Sequence, residues 1–437
     1  MRKEKNTRRG FLKTTAALVA TGIAVPTLIP RTALAQGRRV GANDRIIVGF
    51  AGTGGRARQL MSHISKDRAK IVAIADFWRW KIGETLKIKK AEQEPAFQID
   101  NIDEWNLYDS DEEMYDKEKL DCSFIATQDH TRSLASIRAM MAGLDVYAEK
   151  ALTTYIAEGR EMVKCARKLN RVLQVGSQQR TMRLNEYGCR LVREGRLGAI
   201  RLVQACNYPG GRWIPKDIEK QNRPSDLNWD AWQGPTEYRE YNNSIHSWGG
   251  WREYANADVT LWGTHGLDQI QWALGADDAG PVELWPLEGQ EGVDPGRMKI
   301  GMKYANGVEV RCELEASISG GIFRCSRGNL EIARNNLRAN PESLIAEAPE
   351  PDPPEGPSGI ATAHIENFFD CMFSREKPNA DVEIGHRTTT VCHLVGITRD
   401  LNRRLKWNPD KEQFIDDDEA NKLVDRPRRK GYEFPAY

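Results

Sequence analysis

Between residues 45 and 176 short apolar runs alternate with longer stretches in which apolar positions recur every three or four residues, a pattern of strands alternating with helices. The runs Arg45–Ala51, Lys70–Asp76, Cys122–Ala126, Val146–Glu149 and Val172–Gly176 predict strands. An amphipathic stretch reaching about Lys66, then 132–142 and 156–169, predict helices between them. Strands and helices in this alternation build a parallel, doubly wound sheet of the Rossmann type, here spanning residues 44–177. After Ser177 the pattern becomes polar alternation and longer irregular stretches, with strands expected near 201–206, 299–304 and 309–315. That change predicts a second domain over 178–437, α+β with a largely antiparallel open sheet. Residues 348–359 hold five prolines in twelve positions and predict an extended surface loop.

The chain has 437 residues, 29% charged and 40% hydrophobic, enough for two cores and not the composition of a disordered or fibrous protein. Its 63 basic and 62 acidic residues nearly cancel and form no long tract of one sign, so nothing marks a nucleic-acid binder. Small molecules are the expected partners. The first 35 residues stand apart: seven basic residues against Glu4 give +6, leaving the rest near −5 from a total of +1. They read Thr7-Arg8-Arg9-Gly10-Phe11-Leu12-Lys13, an apolar run to about Ile29, then Ala33-Leu34-Ala35, as expected of a twin-arginine signal cleaved after Ala35. The apolar run is shorter than the ~20 residues of a spanning helix, so no stable membrane span is expected after cleavage. The eight cysteines show no C-x-x-C spacing and are expected as buried thiols.

The first chemical signal is Gly52-x-Gly54-x-x-Ala57, placed after a strand and opening a helix, with Asp76 ending the next strand. Gly52 permits the tight turn, Gly54 lets backbone approach a pyrophosphate, and Ala57 allows helix to pack on strand. Thr53, Gly55 and Arg56 complete the turn. A carboxylate at Asp76 accepts from ribose hydroxyls and repels a 2′-phosphate, so NAD is expected over NADP, for which Arg79 is the nearby cation. Lys150 ends a parallel strand, where ligands bind in such sheets. His265 opens a predicted helix with Asp268 and Gln269 on its face, and a histidine suits a general base. Seven of the twelve tryptophans fall between 213 and 272, where flat rings can pack on sugars, with Asn207, Tyr208, Arg212 and Arg252 as hydrogen-bonding neighbours. No histidine or cysteine set has metal-ligand spacing, so no metal is expected.

These segments together resemble the Gfo/Idh/MocA oxidoreductase family, and its twin-arginine-exported bacterial branch. The resemblance rests on the glycine turn, Ile125-Ala126-Thr127-Gln128-Asp129-His130, Asp145-Val146-Tyr147-Ala148-Glu149-Lys150, Gly176-Ser177-Gln178-Gln179-Arg180, Trp262-Gly263-Thr264-His265-Gly266-Leu267-Asp268, and residues 378–387. It implies cofactor contacts at Thr127, Asp129, His130, Glu149 and Lys150, with His130 toward the nicotinamide. It implies catalysis by Lys150 and His265, and substrate contacts at Gln179, Arg180, Tyr208, Arg212, Trp262 and Asp268. A homo-oligomer built on the open sheet is also implied. Two positions depart from the family pattern: Leu261 stands where an aspartate commonly precedes the histidine, and Ala151 where a proline follows the lysine, so a trans peptide is expected there.

The implied activity is NAD(P)-dependent oxidation or reduction of a sugar, cyclitol or glycoside. Export adds a condition, since free nicotinamide cofactor is scarce outside the cytoplasm: the cofactor must stay bound and be recycled. A redox-neutral glycosidase or epimerase working through a transient keto-sugar satisfies that condition too, and a sugar-binding protein with little catalysis is the third reading.

Overall fold

The computed structural model describes residues 45–92, 99, 101–315, 318–352 and 361–437. The signal segment and residues 353–360 of the proline-rich stretch lie outside the described residues. The first sheet has six strands in the order β3-β2-β1-β4-β5-β6, all parallel. These are β1 Ile46–Ala51, β2 Ala69–Ala75, β3 Asn106–Tyr108, β4 Cys122–Ile125, β5 Asp145–Ala148 and β6 Leu173–Val175. Helices α1 Gly55–Ser62, α2 Arg79–Ala91, α3 Asp111–Lys117, α4 Asp129–Met141 and α5 Ile156–Lys168 join them. The strand order reverses between β1 and β4, and a ligand crevice opens at the carboxyl ends beside such a reversal. β3 has only three residues, one of them buried, and carries too little pattern to be read from sequence.

After α6 Arg183–Arg193 comes a nine-stranded sheet in the order β13-β12-β11-β7-β10-β9-β8-β14-β15. Its strands are β7 Ile200–Cys206, β8 Pro281–Pro286, β9 Ile300–Tyr304, β10 Glu309–Leu314, β11 Gly321–Cys325, β12 Gly328–Ala333, β13 Asn336–Asn340, β14 Leu405–Asn408 and β15 Gln413–Phe414. Only the pair β7–β10 is parallel. Helices α7 Gly263–Ala273 and α9 Val382–Leu401 supply buried residues to the core over this sheet. Sequence position does not decide which core a helix joins. Helix α8, Ala361–Ser374, lies late in the chain yet buries Ile365, Phe368 and Phe369 against Phe50, Phe124 and Tyr147 of the first sheet. All eight cysteines are free and buried, and no helix among the described residues is long and apolar enough to cross a membrane.

Candidate functional site

The crevice begins at the turn after β1. Gly52 has φ +86, and a Cβ there would meet the Ala126 carbonyl at 2.7 Å, so only glycine fits. Gly54 has nothing within 4 Å of a Cβ, leaving an open approach to the first turn of α1 and its amides. Asp76 directly follows β2, with Oδ2 accepting from Thr53 N at 2.8 Å and Thr53 Oγ1 at 2.9 Å, and Oδ1 from Trp78 N at 3.0 Å. Burial pushes its pKa up, against those donors and Lys81. Arg79 turns away to pair with Asp109. Thr127, Trp232, His246 and Trp248 line the same cleft as Gly52, Gly54 and Asp76. Open glycine backbone, a helix N-terminus and a carboxylate at the next strand end fit a dinucleotide.

Arg56 joins this cleft to a second group of side chains. Its Nε donates to Glu149 Oε1 at 2.7 Å, and although burial opposes the charge, Arg56 and Lys150 hold Glu149 below the ordinary glutamate value. A Cβ at Gly176 would strike that carboxylate at 2.8 Å, so the glycine makes its room. Lys150 follows, half-buried, with Nζ donating to the Leu261 carbonyl at 2.8 Å. Burial lowers its pKa more than Glu149 and Asp129 raise it. His265 is 4% exposed and its Nδ1 has no hydrogen-bond partner among the described residues. Burial first, then Lys150, Arg334 and Arg56, hold its pKa well below the ordinary histidine value. Trp262 stands over the group, 46% exposed, its ring 6.0 Å from that of His265 and 6.0 Å from Lys150 Nζ. A neutral imidazole and a desolvated ammonium thus sit beneath an open aromatic face.

The two halves each match a family model. The description "Oxidoreductase family, NAD-binding Rossmann fold" matches residues 46–177, and "Oxidoreductase family, C-terminal alpha/beta domain" matches residues 190–434. The chain belongs to the Gfo/Idh/MocA oxidoreductase family. Its first domain is therefore an NAD-binding Rossmann domain. A glycosyl hydrolase family 109 protein from Parabacteroides distasonis is 27% identical over 286 residues, covering 61% of this chain and 57% of that protein, so the alignment spans little more than half of the relative. Among solved structures, the WlbA dehydrogenase from Bordetella pertussis, in complex with NADH and UDP-GlcNAcA, superposes with a TM-score of 0.59 at 15% identity, over 83% of this chain and 99% of that one. An aldose-aldose oxidoreductase from Caulobacter crescentus complexed with glycerol gives 0.58 at 16% identity, over 83% and 99%. These two similarities are similarities of fold.

Several residues expected at the site are packed or paired in the scaffold. His130, expected toward the nicotinamide, is fully buried with Nε2 on the Trp232 carbonyl at 2.8 Å and its ring edge-on to Tyr254. Burial pushes its pKa down to about 3. Asp129 is equally buried and paired with Arg132 at 2.7 Å. Arg180 and Asp268, expected on substrate, bind each other at 2.9 Å, both side chains 1% exposed; Arg180 also reaches Asp277, and Thr388 donates to Asp268. Asp268 is thereby committed and does not orient His265. Tyr208 is buried with its hydroxyl donating to the Ile318 carbonyl at 2.5 Å, and a Cβ at Gly266 would overlap that hydroxyl. Arg212 lies at the surface, 3.5 Å from Asp294. Asn207 bonds Arg399, and Arg252 is buried 3.4 Å from Asp400. Of the tryptophans, 229 and 232 are core residues stacked at 4.6 Å. Gln179 does reach the site, accepting from Arg334 Nε at 3.2 Å.

Two features escaped the sequence. The Lys150–Ala151 peptide is cis, not trans as expected; the buried Ala151 carbonyl is taken up by the Arg132 guanidinium, so tertiary contacts, which composition does not reveal, set the geometry. Arg334, in the turn from β12 to β13, joins the cluster with its guanidinium 6.0 Å from the Trp262 ring. Nothing in its local sequence distinguishes it from other arginines.

Proposed function

We propose that this chain oxidises or reduces a ring carbinol of a sugar, cyclitol or glycoside, with Lys150 and His265 serving the reacting oxygen. The observation that carries the reading is the placement of a buried, neutral imidazole beside a desolvated lysine, joined through Glu149 and Arg56 to the glycine turn of an NAD-binding domain. NAD supplies the hydride acceptor and donor. Lys150 holds the reacting oxygen by a hydrogen bond from Nζ and offsets negative charge as the proton leaves. His265, uncharged at neutral pH, takes that proton and returns it in the reverse direction. Trp262 presents a flat face for the apolar side of a sugar ring and limits water at the reacting carbon.

The Leu261 departure is read in the same terms: the backbone carbonyl of Leu261 holds Lys150, and among the described residues no carboxylate bonds His265. We place the mature protein outside the cytoplasm, delivered by the twin-arginine machinery with nucleotide already bound, because the leader carries the paired arginines, apolar run and small-residue cleavage site. Self-association through the open nine-stranded sheet belongs to the same reading. Likeness to the family 109 glycosyl hydrolase favours a second chemistry, in which oxidation to a keto-sugar acidifies the neighbouring C–H, a base removes that proton, and either the leaving group is expelled and water adds in its place or the carbon is reprotonated on its other face, before the hydride returns to the ketone.

Lys150→Met and His265→Asn test the assignment. Each is expected to lower turnover per bound NAD about 10²–10⁴-fold. Turnover within threefold of the unsubstituted protein in both variants would remove them from the chemistry.

A further inference from the structure

The charge around the reacting group does not balance. Three cations, Arg56, Lys150 and Arg334, meet there, and one carboxylate, Glu149, is spent on Arg56 at 2.7 Å. The other acids of the site are committed as well: Asp268 to Arg180 at 2.9 Å and Asp129 to Arg132 at 2.7 Å. Lys150 has a backbone carbonyl for its partner. Arg334 has only the amide oxygen of Gln179, on Nε, and its two Nη groups make no hydrogen bond among the described residues. Among the described residues, the charged and titratable groups that act on Arg334 are Arg56 and Tyr208, and on His265 they are Lys150, Arg334 and Arg56, with no carboxylate in either set.

Arg56 and Lys150 are partly buried and share Glu149, while Arg334 is exposed at the rim with no carboxylate on it among the described residues; cations in excess over carboxylates at one site favour an anion there. Arg334 is also shaped for one. With Nε held by Gln179, the guanidinium plane is fixed beside Trp262 and its two Nη donors form an open fork, which matches two oxygens of one anionic group.

We propose that the substrate of this site carries an anionic group, most simply the carboxylate of a sugar acid, bound by Arg334 with Lys150 and Trp262 holding the ring. This rests on the carbohydrate reading above and narrows it to acidic sugars. Carboxylate, sulfate ester and phosphate ester share the recognition chemistry, with the planar carboxylate matching the fork in one plane.

The test is direct binding to the NAD-loaded full chain, followed by tryptophan fluorescence and calorimetry. Gluco-, galacto- and mannuronate are compared with the corresponding neutral hexoses, together with the 6-sulfates and 6-phosphates. At least one uronate is expected to bind tenfold or more tighter than its neutral hexose, with the preference weakening as salt is raised. Arg334→Gln should reduce that preference to under threefold while NAD content and neutral-hexose affinity stay put, and Arg334→Lys should restore part of it. Tighter binding of a sulfate or phosphate ester than of every uronate would keep the anion site and reassign its ligand. Neutral hexoses binding as well as all anionic partners, no anionic sugar binding at all, or a preference that survives Arg334→Gln would overturn the proposal. Because binding is read without turnover, a uronate that binds through Arg334 yet never reduces the nicotinamide would sink the oxidoreductase reading and leave this inference standing.

Discussion

At the scale of single residues, the site works by controlling which groups carry charge. His265 is kept neutral by burial and by the cations around it, so it is ready to accept a proton at any pH near neutrality. The acid limb of the turnover profile is therefore expected below the ordinary histidine value of about 6.5, and His265→Asn should abolish that limb; a limb unchanged in the variant would show that another group produces it. Arg180 and Asp268 illustrate the opposite use of charge. Removing one member of so buried a pair strands the other, so Asp268→Ala should cost about 3–5 kcal/mol, read as a lowered denaturation midpoint; loss of turnover at full stability would return Asp268 to the substrate site. In sequence the two looked like site residues because both fall in segments that resemble the family's working loops. What burial does to them could not be read there, since the partners are 88 residues apart. Arg334 shows the converse, an ordinary turn arginine that becomes distinctive only because folding brings it to Trp262 and Gln179.

At the scale of elements, the Rossmann half was legible because each signal is local. A strand, a glycine that must take φ +86, a helix and a terminal aspartate follow one another within 31 residues, Ile46 to Asp76. Gly52→Ala is expected to cost about 1–3 kcal/mol through the strained backbone and to abolish NAD binding, because its Cβ would push against the Ala126 carbonyl. Equilibrium dialysis with NAD checks this, and retained affinity would show that the turn does not hold the dinucleotide. Long-range placements were not legible. Helix α8 was counted with the second domain from its position in the chain, yet Phe368 and Phe369 fill the face of the first sheet, a pairing of apolar surfaces that periodicity alone does not specify. Phe368→Ala should cost about 3–5 kcal/mol.

At the scale of the whole molecule, all seven histidines are held below their ordinary pKa, burial being the first cause in each. His130 is pushed down to about 3, His364 to about 4 and His393 to about 3. A histidine neutral in the fold and protonated when unfolded makes the unfolded chain bind more protons, so stability rises with pH up to about 6.5 and is lost as pH falls below it. Each of these three contributes up to about 1.4 kcal/mol per pH unit between the two values. Melting temperature is expected to be flat from pH 7 to 8 and to fall steeply from 6 toward 4. A melting temperature independent of pH over that lower range would contradict the burial of these rings. The same proton balance ties the proposed catalytic group to the scaffold, since burial is the first cause that holds His265 neutral.

The central claim is that a carbohydrate carbon exchanges hydride with NAD held in the crevice between β1 and β4, and isotope transfer tests it most directly. Purified, NAD-loaded protein is mixed in a single turnover with sugars or sugar acids deuterated at each ring carbon, and the released nicotinamide is analysed by mass spectrometry. The account predicts one deuterium delivered from one ring position in the unsubstituted protein, and none above background in Lys150→Met and His265→Asn at equal NAD content. NAD that remains bound but acquires no label from any sugar, or label that arrives equally in both variants, would contradict it.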